Sequence, residues 1–125
     1  MSHYECELSG DAEALIAHLD AAIIAGSVSA NIEDGADRRI GDARMVVRVY
    51  ERYSAMGGNR VSLSIAVLAV GQQLAVSAIT SGGSQAVFWK LNTFGEEAFM
   101  EKAKQALASF TGGLPPAHGT ENALL

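Results

Sequence analysis

The sequence predicts a two-layer α+β fold, in which two helices cover one face of an antiparallel sheet of five to six strands. Three observations predict it. Several stretches alternate apolar and polar residues, two stretches carry apolar residues at helical spacing, and glycines stand at most of the boundaries. Consecutive strands with short connections form antiparallel sheets, and helices commonly bury one face of such a sheet.

The first two predicted elements are a strand and a helix. Tyr4, Cys6 and Leu8 alternate with polar residues, which is typical of a strand. Apolar residues then recur at helical spacing from residue 11 to residue 25, and Gly26 stands where a helix commonly ends. These patterns predict a β-α start to the fold.

A short strand and a loop are predicted next. Val28, Ala30 and Ile32 alternate with polar residues and predict the strand. Residues 33–42 are mostly polar or charged, so they are expected to form a solvated loop.

Four further strands and a helix complete the predicted order β-α-β-β-β-β-β-α. The strands are expected at residues 44–54, 60–70, 73–80 and about 85–91, with turns at 57–59, 71–72 and 81–84. Thr93-Phe94-Gly95-Glu96 has the pattern of a capping box, which predicts that the last helix begins there. A helix-grip-like arrangement, with a curved sheet wrapped on this helix, and a half-open barrel both fit this order.

The length and composition indicate one domain. The chain has 125 residues, of which 49% are hydrophobic and 18% charged, so it is long and apolar enough to bury a core. We predict a single domain at residues 1–112 and a flexible C-terminal tail at 113–125, where glycine and proline accumulate. The N-terminal residues carry no signal-peptide pattern and no apolar run reaches membrane-spanning length, so a cytoplasmic protein without membrane contact is expected.

The charges are strongly segregated along the chain. Residues 1–37 hold eight acidic residues and no Lys or Arg, whereas all six arginines fall within residues 38–60. The formal charge of −5 argues against a dedicated nucleic-acid-binding protein.

Three of the arginines share one face of a predicted strand. Arg44, Arg48 and Arg52 alternate on the side that also carries Val46 and Tyr50. Guanidinium groups suit carboxylates and phosphates, so this face is a candidate site for a small anionic ligand or an acidic partner. The alternative is pairing within the sheet, with the acids of the first strands (Glu5, Glu7 and Glu33).

The segment from Val61 to Trp89 contains no charged residue across 29 positions. A sheet face open to water usually carries charged side chains, so we expect this segment to be covered on both sides. A helix, a ligand cavity or a second copy of the chain would provide that cover. A homo-oligomer is expected, with a twofold dimer as the commonest form.

No catalytic arrangement of residues is recognisable, and no cofactor or metal is predicted. Ser81, Ser84 and Gln85 belong to a glycine-containing turn that is a candidate anion-binding loop. It lacks the lysine of a P-loop, and an ordinary hairpin turn is the favoured explanation. Cys6 alternates with core-facing residues and is interpreted as a small core residue. The three histidines have no metal-site spacing.

Two stretches resemble a known family. They are Arg48-Val49-Tyr50-Glu51-Arg52-Tyr53-Ser54 with Asn59-Arg60-Val61-Ser62-Leu63-Ser64, and Thr80-Ser81-Gly82-Gly83-Ser84-Gln85 leading into Asn92-Thr93-Phe94-Gly95-Glu96-Glu97. Together they resemble short uncharacterised bacterial proteins that form a domain of unknown function, over roughly residues 1–110. The resemblance implies a bacterial, intracellular setting and implies no chemistry.

Overall fold

A computed structural model describes residues 1–27, 29–53, 60–82 and 89–112 of the chain. The elements in order are β1 (His3–Ser9), α1 (Ala12–Ala25), β2 (Asn31–Ile40), β3 (Ala43–Tyr53), β4 (Arg60–Val70), β5 (Gln73–Gly82) and α2 (Trp89–Ala108). The predicted α+β class, the antiparallel sheet and the order of strands and helices are confirmed. Among the described residues the sheet has five strands, the lower number of the expected range.

The sheet is antiparallel throughout and its strand order is β1-β5-β4-β3-β2. Strands β2 to β5 follow one another as neighbours, and β1 lies beside β5, so β4 is the central strand. Turns begin at Gly41 between β2 and β3, and at Gly71 between β4 and β5. At these glycines φ is +56° and +62°, a conformation that residues with a Cβ rarely adopt.

One face of the sheet and one side of each helix form the hydrophobic core. Alternate residues of β4 and β5 are buried there, as the period-two pattern of the sequence predicts. The largest fully buried side chains are Tyr50, Phe99, Leu15, Leu19, Ile23, Leu63, Ile65, Leu74, Val46, Val61, Val67 and Val76. Both helices contribute to this core, so the opposite face of the sheet is left without a covering layer in the described part of the chain.

The entry into α1 is well defined. Asp11 caps the helix, since its carboxylate accepts a hydrogen bond of 2.8 Å from the backbone N–H of Ala14. Immediately before it, Gly10 (φ +146°) lies against the backbone of Gly112, whose carbonyl accepts from the N–H of Asp11 at 3.1 Å. The chain segments before α1 and after α2 are thereby joined.

Two of the expected boundaries are wrong. Residues 33–42 were expected to form a loop, but β2 extends through Ile40 as an edge strand in which every residue is exposed. The final helix begins at Trp89, so Thr93 lies inside it, and the last three residues of the strand expected at 85–91 are helical. Glu96 is buried, and its carboxylate contacts the amino group of Met1.

Several predictions fall outside the described residues. They are the remainder of the strand at 85–91, the turn at 57–59, part of the turn at 81–84, the strand residue Val28 and the C-terminal tail at 113–125.

Candidate functional site

The three arginines of β3 lie on the face of the sheet that packs against the helices. They alternate with Val46 and Tyr50, which are 2% and 0% exposed and belong to the core. The shared face predicted from the sequence is therefore the inner face of the strand. Because helix α1 lies over this part of the sheet, acidic residues of α1 come within reach of the arginines.

Arg44 is held by two carboxylates. Its Nε and Nη2 donate to the two oxygens of Asp37 at 2.9 and 2.6 Å, and its Nη1 lies 2.9 Å from Oε1 of Glu13. Asp37 belongs to β2 and Glu13 to the first turn of α1. The hydrogen bond from Arg44 holds the pKa of the Asp37 carboxyl below its usual range, and the same contacts raise the pKa of Arg44.

Arg48 and Tyr50 converge on Asp20 of α1. The Arg48 Nε lies 3.2 Å from Oδ1 of Asp20, and the Tyr50 hydroxyl donates to the same oxygen at 2.6 Å. Burial raises the pKa of the Tyr50 phenol, and the hydrogen bond to Asp20 raises it further. Tyr50 is therefore a neutral donor at physiological pH. The three groups form one charge-assisted cluster between helix and sheet.

Arg52 differs from the other two arginines. Its guanidinium lies 4.6 Å from the centre of the Phe99 ring and donates to the hydroxyl of Ser27, while its Nε is buried without a hydrogen-bond partner. Burial lowers the pKa of this guanidinium. No carboxylate of the described residues pairs with Arg52.

The acidic partners expected from the sequence are not the ones observed. Glu5 and Glu7 lie on β1, at the opposite edge of the sheet, and neither they nor Glu33 is paired with the arginines. Asp20 is not among the residues predicted from the sequence. Its signal was available, because Asp20 follows Ile16 by four residues and precedes Ile23 by three, which places a charged residue within the apolar stripe of α1.

The residues of the candidate turn do not join the arginines in the described chain. Ser81 pairs with Ser62 on the outer face of the sheet, whereas the neighbouring Thr80 points inward and is buried. The Thr80 hydroxyl accepts a hydrogen bond of 3.0 Å from the backbone N–H of Ser2. Ser84 and Gln85 lie outside the described residues.

A histidine and a serine meet between the helices without forming a nucleophile and base. Nε2 of His18 lies 2.8 Å from the carbonyl oxygen of Ala106 and 2.9 Å from the hydroxyl of Ser109. A carbonyl oxygen only accepts hydrogen bonds, so we assign the proton to Nε2. This nitrogen has no lone pair with which to deprotonate Ser109, and the contact is a structural link between α1 and α2.

The outer face of the sheet is the second candidate site. We call it the open face, and it is formed by the residues of β3, β4 and β5 that point away from the helices, with the flanking residues of β1 and β2. In its central three strands it is apolar or carries hydroxyl groups over most of its area. Its apolar members are Ala43, Met45, Val47, Val49, Ala66, Leu68, Val70, Ala75 and Ile79.

Large apolar side chains on the open face are exposed to solvent. Leu68 is 50% exposed, Val70 47%, Ile79 42% and Met45 41%. Next to Leu68 lies a hollow of about 470 Å³ that is also lined by Ala75 and Glu7. A contiguous exposed apolar surface of this kind is typical of an interaction site.

The charged residues of the open face are confined to its margins. Glu5 and Glu7 lie on the edge strand β1, and Asp34 and Arg38 lie on the other edge strand, β2. Glu51 and Arg60, which pair with each other, lie at the end of the face remote from Gly71. An apolar centre with a charged rim matches the usual composition of protein interfaces.

The described residues contain neither a metal-binding cluster nor a membrane-spanning helix. No three His, Cys, Asp or Glu side chains in this part of the chain are grouped so that they could hold a metal ion. Of the described helices, neither is long and apolar enough to cross a membrane. Cys6 is half-buried against the core, and burial raises the pKa of its thiol, in agreement with its interpretation as a core residue.

Comparison with known proteins gives a family and no activity. No curated protein and no solved structure matches the chain significantly. A family model matches residues 1–111, which include the seven elements that the structure describes. The chain therefore belongs to DUF6054, a family of unknown function.

Proposed function

We propose that this protein is a non-catalytic interaction module that self-associates through the open face of its sheet. The observation that carries the proposal is the exposure of Met45, Leu68 and Val70 on a face whose central strand, β4, has no charged residue after Arg60. Water contact with such a surface is unfavourable by about 25 cal/mol per Å² of apolar area. A second copy of the chain removes that surface from water without requiring any other partner.

The size of the open face suits a stable dimer. Five strands at a spacing of about 4.8 Å, each rising about 3.3 Å per residue, form a face of roughly 24 by 30 Å. The resulting area of about 700 Å² is close to the roughly 800 Å² that each partner contributes to an interface of standard size.

The pairing of two of the β3 arginines with carboxylates supports a non-catalytic assignment. Arg44 and Arg48 are already neutralised by Asp37, Glu13 and Asp20, and the described histidine–serine contact lacks a free base. These groups stabilise the attachment of α1 to the sheet, and that leaves the open face as the main surface for interaction.

Sedimentation equilibrium of the wild-type chain and of Leu68→Glu tests the proposal. We expect a wild-type dimer, and a folded monomer for Leu68→Glu, because the substitution places two carboxylates in the centre of the interface. The matched control is Ile24→Glu, which introduces the same charge at a 36%-exposed position of α1, away from the open face. Circular dichroism establishes folding, and Val70→Lys is a second variant if Leu68→Glu misfolds.

Two results overturn self-association through this face. One is a wild-type monomer over the whole concentration range. The other is a wild-type oligomer that is unchanged by both Leu68→Glu and Val70→Lys.

A second candidate function is the binding of a small anion at Arg52. The favouring observation is the buried Nε of this arginine, which has no hydrogen-bond partner among the described residues. Inorganic phosphate and citrate are suitable probes in a thermal-shift assay, with Arg52→Gln as the test variant and Arg60→Gln as the control. If the anion stabilises the wild type and Arg60→Gln but not Arg52→Gln, the result supports the site. Equal shifts for all three chains reject it.

We also propose a bacterial cytoplasm as the setting. The resemblance noted above supports it, and so does the half-buried Cys6 thiol, which is a free cysteine. Fractionation of a tagged chain in a bacterial host tests this setting, which recovery in the periplasmic fraction would reject.

A further inference from the structure

The open face carries opposite charges at the two ends of a single row of residues. Across the five strands, Glu7 of β1 pairs with Ala75, Ala75 with Leu68, Leu68 with Met45, and Met45 with Arg38 of β2. Within the described residues, neither Glu7 nor Arg38 has a salt-bridge partner in its own chain. Leu68, on the central strand, is the midpoint of the row.

We propose that two copies of the chain stack with their open faces together about a twofold axis that runs along β4, so that Glu7 of each copy lies opposite Arg38 of the other. The inference rests on the proposed self-association and specifies its geometry. A rotation of 180° about β4 keeps each row in place and exchanges its two ends. β1 then lies over β2 of the second copy, and β5 lies over β3.

This arrangement also matches the apolar side chains by size. Leu68 meets its own copy on the axis, and Met45 lies over Ala75 of the other chain. The hollow of about 470 Å³ beside Leu68 is lined by Ala75 and Glu7, so it offers space for the Met45 side chain. A long side chain over a short one lets the two layers interdigitate at normal packing density.

A twofold axis across the strands fits less well. It would lay β1 of one copy over β1 of the other, and would bring Glu5 opposite itself. It would also exchange the two ends of every strand, so that Val70 and Ala43 would lie over Ser62 and Glu51. Both consequences are unfavourable, because one opposes like charges and the other buries a charged group against apolar residues.

The known geometry of stacked sheets permits the Glu7–Arg38 contact. Facing sheets pack about 10 Å apart with their strands rotated by about 30°. Edge strands lie about 10 Å from the axis, so this rotation displaces them by about 5 Å relative to each other. Glu and Arg side chains are long enough to bridge that displacement, whereas a pair of short polar side chains would not be.

The test is a charge exchange between two separately purified variants. Glu7→Arg and Arg38→Glu each oppose like charges at both symmetric contacts, so each is expected to weaken its homodimer about tenfold at low salt. When the two variants are mixed, both contacts become complementary. We therefore expect a heterodimer with an affinity near that of the wild type, measured by fluorescence exchange between differently labelled chains.

Matched controls separate this pairing from the effect of net charge. Glu101→Arg repeats the charge change of Glu7→Arg at an exposed position of α2. Arg39→Glu repeats the charge change of Arg38→Glu on β2, on the side that faces away from the open face. Both controls should dimerise like the wild type. The double variant Glu7→Arg/Arg38→Glu should recover the homodimer.

The results distinguish this inference from the proposal on which it rests. A wild-type chain that dimerises and is dissociated by Leu68→Glu, while the mixture of charge variants gives no recovery, overturns the axis along β4 and leaves self-association standing. A wild-type monomer overturns both. Recovery in the mixture and in the double variant supports both.

Discussion

The Tyr50 hydroxyl donates a hydrogen bond of 2.6 Å to Oδ1 of Asp20, which ties the centre of β3 to helix α1. Tyr50 is fully buried, and the same carboxylate accepts from Arg48. A hydrogen bond to a charged group contributes about 1.5–3 kcal/mol to stability, more than one between neutral groups. The attachment of α1 to the sheet thus depends on a polar cluster as well as on its apolar stripe.

The first prediction concerns this hydrogen bond. Tyr50→Phe removes the donor and leaves the ring, so we expect the free energy of unfolding to fall by about 1.5–3 kcal/mol in urea denaturation at fixed protein concentration. Tyr53→Phe, at an exposed position, is the control and should change stability by less than about 0.5 kcal/mol.

A double-mutant cycle with Asp20→Asn locates the effect. Because the two groups are in direct contact, we expect the losses from Tyr50→Phe and Asp20→Asn to be non-additive by about 1 kcal/mol. Additive losses would mean that the hydrogen bond makes no net contribution.

The second prediction concerns alkaline pH. Burial, together with the hydrogen bond to Asp20, raises the pKa of Tyr50, so the folded chain holds this proton more tightly than the unfolded chain, in which a tyrosine has a pKa of about 10. The resulting stability is fully present below pH about 10 and is lost as the pH rises towards the folded-state pKa. Denaturation midpoints above pH about 10 should therefore fall less in Tyr50→Phe than in the wild type. Parallel pH profiles for the two chains would contradict this.

The third prediction concerns acidic pH. The Arg44 hydrogen bond lowers the pKa of Asp37, so carboxyl-detected NMR should give it a titration midpoint below the usual value of about 3.9. The contribution of this group to stability is present above the unfolded-state pKa and is lost as the pH falls through the folded-state value. Arg44→Gln should return the midpoint towards 3.9, whereas Arg60→Gln, on β4, should leave it unchanged.

The sequence predicted the elements that bury one side. The strands β4 and β5, the helix α1 and the turn at Gly71 could all be predicted. Each has a recognisable pattern in the sequence, either a periodic spacing of apolar residues or a glycine at a turn. β2 leaves no such mark, since all its residues are exposed and its pairing with β3 relies on backbone hydrogen bonds that any sequence can make.

The candidate site was predictable only in part. The alternation in β3 placed Arg44, Arg48 and Arg52 on one face, but apolar residues occur on both faces of this strand, and so its inner side could not be identified from the pattern. Pairing with Glu13 and Asp20 depends on the placement of α1 over β3, which is a tertiary property. The uncharged segment that begins at Val61 predicts cover on both sides of the sheet. The helices cover its inner side, and cover of the open face stays a prediction.

The fourth prediction concerns the close approach of Gly10 and Gly112. A Cβ at Gly10 would stand 2.5 Å from the Cα of Gly112, and φ at Gly10 is +146°, a region that is essentially restricted to glycine. Gly10→Ala therefore combines backbone strain with a steric clash and should lower the free energy of unfolding by about 3 kcal/mol. At Gly41, φ is +56° and a Cβ would meet nothing within 4 Å, so Gly41→Ala should cost only about 1 kcal/mol, the penalty of the left-handed conformation alone. Equal losses for the two variants in urea denaturation would show that the backbone contact between Gly10 and Gly112 adds nothing to the cost of the unusual φ.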